Sequence, residues 1–434
     1  MEEFKDTFDL VIGKIPKSWD IKKIKYIANI KTGGTPPDKE GIDFEGEYPW
    51  ITAPDIDESL KINNYSQYIS EDAIKKQNYK LFPKNSILLV CIASVGKIGI
   101  TKTEVYSNQQ ITAIMPNKNI DSLYLLYYLK AYSKKIIKDA ASNVVPIVNS
   151  SYLNNIITIM PSLNEQKSIA KFLDKKTSKI NSIIESLNKQ ISILQNYKKS
   201  KITEVITRGL KENTLMKDSN IKWIGYIPQE CNVIRLKDCS YLKGRIGWQG
   251  LTSDEFIDEG PFCVTGTDFI NGDINWDTCY HISKERYDMD YNIQLKIGDL
   301  LITKDGTIGK LARINNLPGL ACLNSHLLII RPLNNKFTNN YLYYVLSSGI
   351  FEYYTGYNQT GSTMESLSQE KIGNFSFPIY DIDEQERIAK YLDLTCFKID
   401  NMINKKQKQL NNLEKYKQSL IYEYVTGKKR VKGE

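Results

Sequence analysis

The chain has 434 residues, of which 41% are hydrophobic and 25% charged, a composition that supports two or three folded domains with buried cores. No run of about 18 apolar residues occurs, so no membrane-spanning helix is predicted, and the acidic N-terminus does not predict a secretory signal. Lys and Arg exceed Asp and Glu by 8, which is a mild indication of a nucleic-acid partner.

Residues typical of catalytic or metal sites are scarce. The seven cysteines are scattered, and no pair has the CxxC spacing of a zinc site. They are expected to be buried thiols of a cytoplasmic protein, without disulfides or bound metal. The two histidines are His281 and His326, and no GxSxG, HExxH or dinucleotide-binding glycine motif occurs. We therefore expect no catalytic residue in this chain.

The sequence contains an internal repeat. The segment GKIP at residues 13–16 returns as GYIP at 225–228, an offset of 212 residues. The segment EQKSIAKFLD, starting at Glu165, returns as EQERIAKYLD, starting at Glu384, an offset of 219 residues with seven of ten positions identical. The slow increase of the offset indicates that loops lengthened in one copy of a duplicated chain.

The first part of each copy is predicted to be a compact α+β domain. We call residues 1–163 the first head and residues 213–380 the second head. Both are rich in Gly, Pro and aromatic residues, with short apolar runs at 86–92 and 299–303 that predict buried strands. Short helices are predicted near residues 122–138 and 339–347.

The second part of each copy, residues 164–212 and 381–434, contains very little Gly or Pro and predicts a long helix. Asn164 and Asp383 are predicted helix caps. Apolar residues follow steps of three and four, which is the seam of a coiled coil. The predicted seam comprises Ile180, Ile184, Leu187, Ile191 and Leu194 in the first helix, and Ile399, Ile403, Leu410, Leu413 and Leu420 in the second.

The two long helices are expected to pair with each other. A coiled coil between two chains is the alternative, but the duplication already supplies both helices within one chain. An approximate two-fold relation between the copies makes the pair antiparallel. The predicted fold class is therefore α+β, with two globular α/β domains separated by two long antiparallel coiled-coil helices in an internal pseudo-two-fold duplication.

The positive charge lies on the helices and not on the heads. The first head has 20 basic and 18 acidic residues, and the second has 15 and 18. The first helical segment, 164–212, has 11 basic and 5 acidic residues, and the second, 381–434, has 12 basic and 9 acidic residues. Net charge alone therefore does not indicate a phosphate-binding face on either head.

Glycine-rich segments with donor side chains occur in both heads. The first head has KTGGT, comprising Lys31, Thr32, Gly33, Gly34 and Thr35, and the second has a segment with Arg245, Trp248 and Gln249. Glycine allows the backbone to approach a ligand closely, and such donors contact phosphates and base edges. Tight turns with exposed cations explain these segments equally well.

Two Gly-Lys pairs, ending at Lys97 and Lys310, do not fit the phosphate-loop pattern GxxxxGK[ST]. Each follows an apolar run, so a turn at the end of a strand is predicted. Residues 108–110 (NQQ) and 324–326 (NSH) occupy equivalent places in the two copies. Their amides could read adenine, although buried amides that fix a loop are as common.

The chain resembles the DNA-specificity subunit of bacterial type I restriction–modification enzymes over nearly its whole length. The resemblance is carried by the order of these segments and by their duplication. The motifs that carry the resemblance are IPKSW at 15–19, KTGGTP at 31–36, PWITAPDI at 49–56, GRIGWQGL at 244–251, GDLLITKDGTIGK at 298–310, GSTMESLSQEKI at 361–372 and the two EQxxIAK helices. The first head departs from the pattern at 140–146, where the second has TGSTM at 360–364.

The resemblance implies that each head is a target-recognition domain for one half of a split double-stranded DNA site. The helices would set the gap and dock two adenine methyltransferase subunits, which carry S-adenosylmethionine. A motor–nuclease subunit using ATP and Mg would cut unmodified DNA. The chain itself would hold no cofactor and no metal. The expected DNA-proximal residues are Lys31, Thr32, Gly33, Gly34, Thr35, Lys97, Arg245, Trp248, Gln249, Lys304, Lys310, Ser362 and Thr363.

Two other functions are alternatives to DNA recognition. A coiled-coil scaffold whose heads bind proteins would explain the acidic second head, and it predicts binding that depends little on salt. A nucleotide-hydrolysing enzyme would use Lys97 and Lys310, but the failed motif spacing argues against it.

Overall fold

The computed structural model describes residues 3–9, 11–35, 44–141, 146–245, 251–358 and 367–431. The chain forms two compact units. The first unit comprises Met1–Lys189 and Gln407–Glu434, and the second comprises Gln190–Lys406. The first unit therefore combines the N-terminal part of the chain with its C-terminal segment.

The elements of the first unit begin with short strands and end with a long helix. Its strands are β1 (Phe4–Asp6), β2 (Lys14–Pro16), β3 (Asp20–Lys23), β4 (Ala28–Thr32), β5 (Tyr48–Ile51), β6 (Lys61–Ile62), β7 (Gln67–Ile69), β8 (Ile87–Val90), β9 (Ile98–Thr101), β10 (Tyr106–Ser107), β11 (Ile111–Pro116) and β12 (Ile157–Met160). Its helices are α1 (Glu71–Gln77), α2 (Ser122–Ala140), α3 (Ser150–Asn155) and the first part of α4 (Leu163–Arg208).

A five-stranded sheet, in the order β4-β11-β8-β9-β6, forms the centre of the first unit. Strand β8 is buried on both faces. Ile87 and Leu89 pack in the core that contains α2, whereas Leu88 and Val90 pack in the core that contains Ile51 of β5. Burial on both faces explains why this strand is a continuous apolar run, and the predicted strand at 86–92 is confirmed.

The second unit repeats this sequence of elements. Its strands are β13 (Met216–Asp218), β14 (Tyr226–Pro228), β15 (Asn232–Arg235), β16 (Ser240–Gly244), β17 (Ile257–Val264), β18 (Phe269–Ile270), β19 (Asp273–Ile274), β20 (Tyr280–His281), β21 (Leu300–Thr303), β22 (Leu311–Arg313), β23 (Ala321–Leu323), β24 (Leu327–Pro332) and β25 (Ser376–Ile379). Its helices are the last part of α4, α5 (Leu236–Cys239), α6 (Lys284–Asp288), α7 (Asn339–Leu346), α8 (Gly349–Asn358), α9 (Gln369–Gly373) and the first part of α10 (Ile382–Val425). The last part of α10 belongs to the first unit.

The central sheets of the two units share the order of four strands, and the first unit adds β6 at one edge. The order β16-β24-β21-β22 in the second unit corresponds to β4-β11-β8-β9 in the first. A smaller sheet, β20-β17-β23, corresponds to β7-β5-β10 and has the same mixture of antiparallel and parallel pairs. The duplication predicted from sequence is therefore confirmed in the fold, as are the predicted helices near 122–138 and 339–347.

In the second unit, an ion pair joins β24 to the buried residue that directly precedes β21. Arg331 of β24 donates from Nε to Oδ1 of Asp299 at 2.6 Å and from Nη2 to Oδ2 at 2.7 Å. The side chain of Asp299 is only 4% exposed. The repeat places Ser86 and Met115 at the equivalent positions of the first unit, so only one copy of the sheet contains this pair.

Within each unit, the segments of α4 and α10 run antiparallel. In the first unit, Phe172 packs on Tyr424 with ring centroids 4.5 Å apart, and Lys417 donates to Asn181 Oδ1 at 2.7 Å. In the second unit, Lys406 contacts Gln190 and Lys198 pairs with Asp400. Residue numbers rise along one helix as they fall along the other, so the predicted pairing within the chain is confirmed.

The polar contacts between the helices repeat with the same offset of 219 residues. Lys417 corresponds to Lys198, and Asn181 corresponds to Asp400. In the second unit, Lys198 Nζ lies 2.6 Å from Asp400 Oδ2 and forms an ion pair. In the first unit, Lys417 is 7% exposed and its charge faces a neutral amide. Burial lowers the pKa of Lys417.

The predicted helix caps at Asn164 and Asp383 are wrong. Helix α4 begins at Leu163, and Ser162 Oγ accepts from the backbone N–H of Glu165 at 3.3 Å. Helix α10 begins at Ile382, and Asp381 Oδ1 accepts from the backbone N–H of Glu384 at 2.8 Å. A capping side chain must precede the helix to reach the N–H groups of its first turn, so both helices begin earlier than predicted.

Two tyrosine hydroxyls, one from each partner, join the C-terminal segment to the N-terminal part of the first unit. The hydroxyl of Tyr124 donates to the carbonyl of Val425 at 3.2 Å. Tyr422 donates to the carbonyl of Val11 at 3.0 Å. These bonds fix the end of α10 within the first unit.

All seven cysteines are buried thiols, as predicted. Burial raises the pKa of Cys231 and of Cys396 to about 11, which suppresses the thiolate form. Among the described residues, none of the helices is long and apolar enough to cross a membrane.

Candidate nucleic-acid interface

In each unit, several loops meet at one end of the central sheet. They follow β4 or β16, precede β11 or β24, connect β8 to β9 or β21 to β22, and follow β5 or β17. We call these loops the strand-end cluster of each unit. It comprises residues 31–35, 52–55, 91–97 and 107–110 in the first unit, and 243–245, 265–268, 304–310 and 324–326 in the second.

The KTGGT segment of the first unit lies against the loop before β11. The N–H of Gly33 donates to Ile111 O at 2.9 Å, and that of Gly34 donates to Ser107 O at 3.0 Å. A Cβ atom on Gly33 would lie 2.2 Å from the backbone oxygen of Asn108. Glycine is therefore required here by the close approach of two backbone segments.

Replacing Gly33 by Ala should separate these segments and destabilise the first unit by about 1–3 kcal/mol. The measurement is thermal unfolding together with hydrogen exchange of β4 and β11. Gly356→Ala is the matched control, because a Cβ at Gly356 meets nothing within 4 Å and alanine favours helix. Equal stability of Gly33→Ala and wild type would show that the segments can separate without loss.

Loops 108–110 and 324–326 are held by the same backbone hydrogen bonds. The N–H of Asn108 donates to Ile51 O at 3.2 Å, and that of Asn324 donates to Val264 O at 3.0 Å. Asn108 Oδ1 accepts from the N–H of Gln110, and Asn324 Oδ1 accepts from the N–H of His326. Both asparagines therefore fix the backbone of their loop, in agreement with the loop-fixing alternative that the sequence left open.

A Thr-x-x-Asp turn follows β5 in the first unit and β17 in the second. The N–H of Thr52 donates to Asp55 Oδ2 at 2.8 Å, and the N–H of Thr265 donates to Asp268 Oδ2 at the same distance. Each turn begins directly after the residue that holds Asn108 or Asn324. The turns therefore add rigidity to the same end of the sheet.

The two Gly-Lys pairs lie in β-hairpin turns. The N–H of Val90 donates to Lys97 O at 2.9 Å, and the N–H of Thr303 donates to Lys310 O at 3.0 Å. These bonds extend the pairing of β8 with β9 and of β21 with β22. The predicted strand-ending turns are confirmed, and neither turn opens a helix as a phosphate loop does.

Lysines are the exposed cations of both clusters. Lys31 and Lys97 are exposed in the first unit, and Lys310 is exposed in the second. Lys304 is partly covered, with Nζ 3.3 Å from the carboxylate of Asp305. That carboxylate also lies 3.5 Å from Nδ1 of His326. Exposed cations on a rigid frame are suited to phosphate contacts.

Arg245 has a different environment from the lysines. Its side chain is buried, and it donates from Nε to Leu323 O at 3.2 Å and from Nη2 to Cys322 Sγ at 3.4 Å. A hydrogen bond from Cys263 and the charge of Arg245 lower the pKa of the Cys322 thiol. Two of the donor groups of Arg245 are therefore engaged with residues of β23.

The structure brings most of the sequence-predicted residues together, in two separate sets. Lys31, Thr32, Gly33, Gly34, Thr35 and Lys97 lie in the first cluster, and Arg245, Lys304 and Lys310 lie in the second. Trp248, Gln249, Ser362 and Thr363 lie outside the described residues.

Sequence reasoning missed Thr52 and Thr265, which the repeat could have revealed because it aligns ITAPD with VTGTD. Gln110 and His326 lie in the aligned segments NQQ and NSH, for which the sequence left base reading and loop fixing open, but they are not among the predicted site residues.

The seam residues predicted for the coiled coil lie along α4 and α10. The buried ones are Ile180, Leu187, Ile191, Ile399, Leu410 and Leu420, and the half-buried ones are Ile184, Leu194, Ile403 and Leu413. Among the residues that the structure describes, no group of His, Cys, Asp and Glu could hold a metal ion.

Comparison with known proteins assigns these features to a family. The chain matches the type I restriction modification DNA specificity domain over residues 16–193 and again over 195–415. The chain belongs to this family. The family supplies specificity and not catalysis in type I restriction–modification systems, and the two matches correspond to the two copies of the repeat.

Relatives with the same organisation align along the whole chain. The putative type I restriction enzyme MjaX specificity subunit of Methanocaldococcus jannaschii is 30% identical, over 99% of this chain and 97% of that protein. The MjaVIII specificity subunit of the same organism is 25% identical, over 100% and 97%. A solved structure from a type I R-M system shares the fold with a TM-score of 0.66 at 14% identity, over 95% and 98% of the two chains.

Proposed function

We propose that this specificity-family chain is the non-catalytic subunit that reads a split, asymmetric DNA site. The strand-end cluster of the first head contacts one half of the site. The strand-end cluster of the second head contacts the other half. The observation that carries this proposal is the duplication of one backbone frame with different side chains. Two identical frames would read two like half-sites, whereas different side chains on the same frame read different sequences.

The lysines of the clusters contact the DNA backbone in this proposal. Lys31, Lys97, Lys304 and Lys310 are the candidates among the described residues, with Thr32 and Thr35 as further donors and Gly33 and Gly34 as the turn that shapes the first cluster. Trp248, Gln249, Ser362 and Thr363 remain candidates from sequence. Arg245 remains a candidate from sequence as well, although its Nε and Nη2 already donate to Leu323 O and Cys322 Sγ.

The helices act as spacer and docking platform in this proposal. Residues 164–212 and 381–434 set the gap between the half-sites and dock two adenine methyltransferase subunits, which carry S-adenosylmethionine. Where the system also cuts DNA, motor–nuclease subunits supply ATP- and Mg-dependent cleavage. The assembly acts on chromosomal DNA in the cytoplasm.

The direct test is to co-express the chain with its methyltransferase partner and to map modified adenines in the host DNA. A split motif with a fixed gap and two unlike halves is expected. A continuous or palindromic motif would contradict the assignment of one half-site to each cluster, and a stable complex without methylation would favour a scaffold.

The exposed lysines of the hairpin turns provide a second test. The double variant Lys97→Ala/Lys310→Ala should weaken DNA binding and reduce the slope of log affinity against log salt by about 2, since each phosphate contact contributes about 0.9. The control is Lys118→Ala/Lys336→Ala, which removes equal charge from the opposite ends of β11 and β24. Equal salt slopes for the two double variants would exclude phosphate contacts at the hairpin turns.

A further inference from the structure

Loops 108–110 and 324–326 have the same backbone hydrogen bonds, begin with the same asparagine and differ at their other two positions, of which the last is Gln110 or His326. Besides the bonds made by their asparagines, the carbonyl of Gln110 accepts from the N–H of Cys91 at 2.7 Å, and the carbonyl of His326 accepts from the N–H of Lys304 at 2.9 Å. Gln110 and His326 each directly precede the first residue of a central strand, β11 or β24. Their Cα atoms are therefore held at equivalent points of the two units.

The side chain of the asparagine in each loop forms hydrogen bonds within its own loop. Its Oδ1 accepts a backbone N–H in both units, and in the first unit Asn108 Nδ2 also donates to Gln110 Oε1 at 3.2 Å. The duplication keeps this residue in both copies because the backbone bond needs it. The residue two positions later differs, although its backbone bonds are the same.

The side chains of Gln110 and His326 have donors and acceptors suited to base edges. A glutamine amide can bond N6 and N7 of adenine together. One lone pair of Gln110 Oε1 receives Asn108, and an amide oxygen has two. The His326 side chain is 63% exposed, and the Asp305 carboxylate lies 3.5 Å from its Nδ1. In the neutral tautomer that has its proton on Nδ1, facing this carboxylate, Nε2 is an acceptor for a base amino group.

We propose that this position, Gln110 in the first unit and His326 in the second, determines one base in each half-site. The proposal rests on the proposed function, since it requires that the clusters read DNA. A rigid identical frame with a variable side chain at its edge allows specificity to change without a change in fold. Gln110 selects adenine, and His326 selects a base that offers an exocyclic amino group, adenine or cytosine.

The test exchanges the two side chains in the full chain bound to its methyltransferase partner. His326→Gln and Gln110→His are compared with wild type by mapping methylation on a library of randomised DNA sites. His326→Gln should change the preferred base at one position of the second half-site towards adenine, with a change in the preference ratio of about 10- to 100-fold. Gln110→His should change one position of the other half and leave the second half unaltered.

Several outcomes would overturn the proposal. One is an unchanged motif with both variants, and another is a uniform loss of methylation over all library sequences by a variant that still assembles. Lys118→Ala and Lys336→Ala, at the far ends of β11 and β24, should leave the motif unchanged. A wild-type complex that methylates no split motif would refute the proposed function itself. That result is seen before any variant is compared, so the two failures are distinguishable.

Discussion

Replacing Asp299 by Ser should destabilise the second unit by about 3 kcal/mol, because the Arg331 guanidinium, whose side chain is 20% exposed, would lose its buried carboxylate partner. Arg331 makes two bonds to Asp299 and one from Nη2 to Gln294 O at 2.6 Å. After the substitution, Arg331 would keep the bond to Gln294 O and lose both bonds to Asp299. Chemical unfolding, with hydrogen exchange of β21 and β24 to localise the effect, measures this loss.

The first unit indicates how to restore the stability. It has Ser86 and Met115 at the equivalent positions, and Ser86 Oγ donates to Pro83 O at 2.6 Å. The double variant Asp299→Ser/Arg331→Met should therefore return to within about 1 kcal/mol of wild type, because it removes both charges together. Arg331→Met alone should destabilise, since the carboxylate would keep the N–H of Lys296 but lose its cation. A double variant as unstable as Asp299→Ser would show that the pair does not act as a unit.

Replacing Asn181 by Leu should destabilise the first unit by about 3 kcal/mol, because it removes the side-chain partner of a buried ammonium group. Lys417 would keep a contact of 3.3 Å with Glu58 O. Asn181→Asp is the matched control. It restores the Lys–Asp pair that Lys198 and Asp400 form in the second unit, and it should be at least as stable as wild type. Thermal and chemical unfolding of the three proteins give the comparison.

The lowered pKa of Lys417 also makes the free energy of unfolding depend on pH. Burial lowers the pKa of Lys417 in the folded protein, so the unfolded chain binds more protons between that pKa and about 10.4. The free energy of unfolding from this group therefore rises with pH in that window, and the full penalty of the buried charge applies below it. Subtracting the unfolding profile of Lys417→Met from that of wild type isolates this slope. A flat difference would contradict a lowered pKa.

The repeat made much of the fold predictable. Runs such as 86–92 and 299–303 are apolar without alternation because their strands are covered on both faces, and a long segment without glycine or proline has few alternatives to helix. The helix starts were not predictable to the residue. Ser162 and Asp381 cap α4 and α10, but several polar residues near each start could make the same bond.

The site was less predictable because it is built from loops. The sequence reveals that Gly33 and Gly34 are unusual, but not that their neighbours are the backbone at Asn108 and the ring of Tyr79. Arg245 has the donors expected of a base reader, and its burial against Cys322 depends on the parallel pairing of β17 with β23. That pairing joins strands far apart in the sequence, and local patterns do not encode it.

The membership of residues 407–434 in the first unit affects the order in which the chain folds during synthesis. The second unit is continuous in sequence, so the ribosome delivers all of it before the first unit has its last helix segment. Until Lys417, Leu420 and Val425 emerge, the partner surface on residues 163–189 stays uncovered. Chaperones and proteases therefore have access to this uncovered surface of the first unit until synthesis ends, although the first unit is synthesised first.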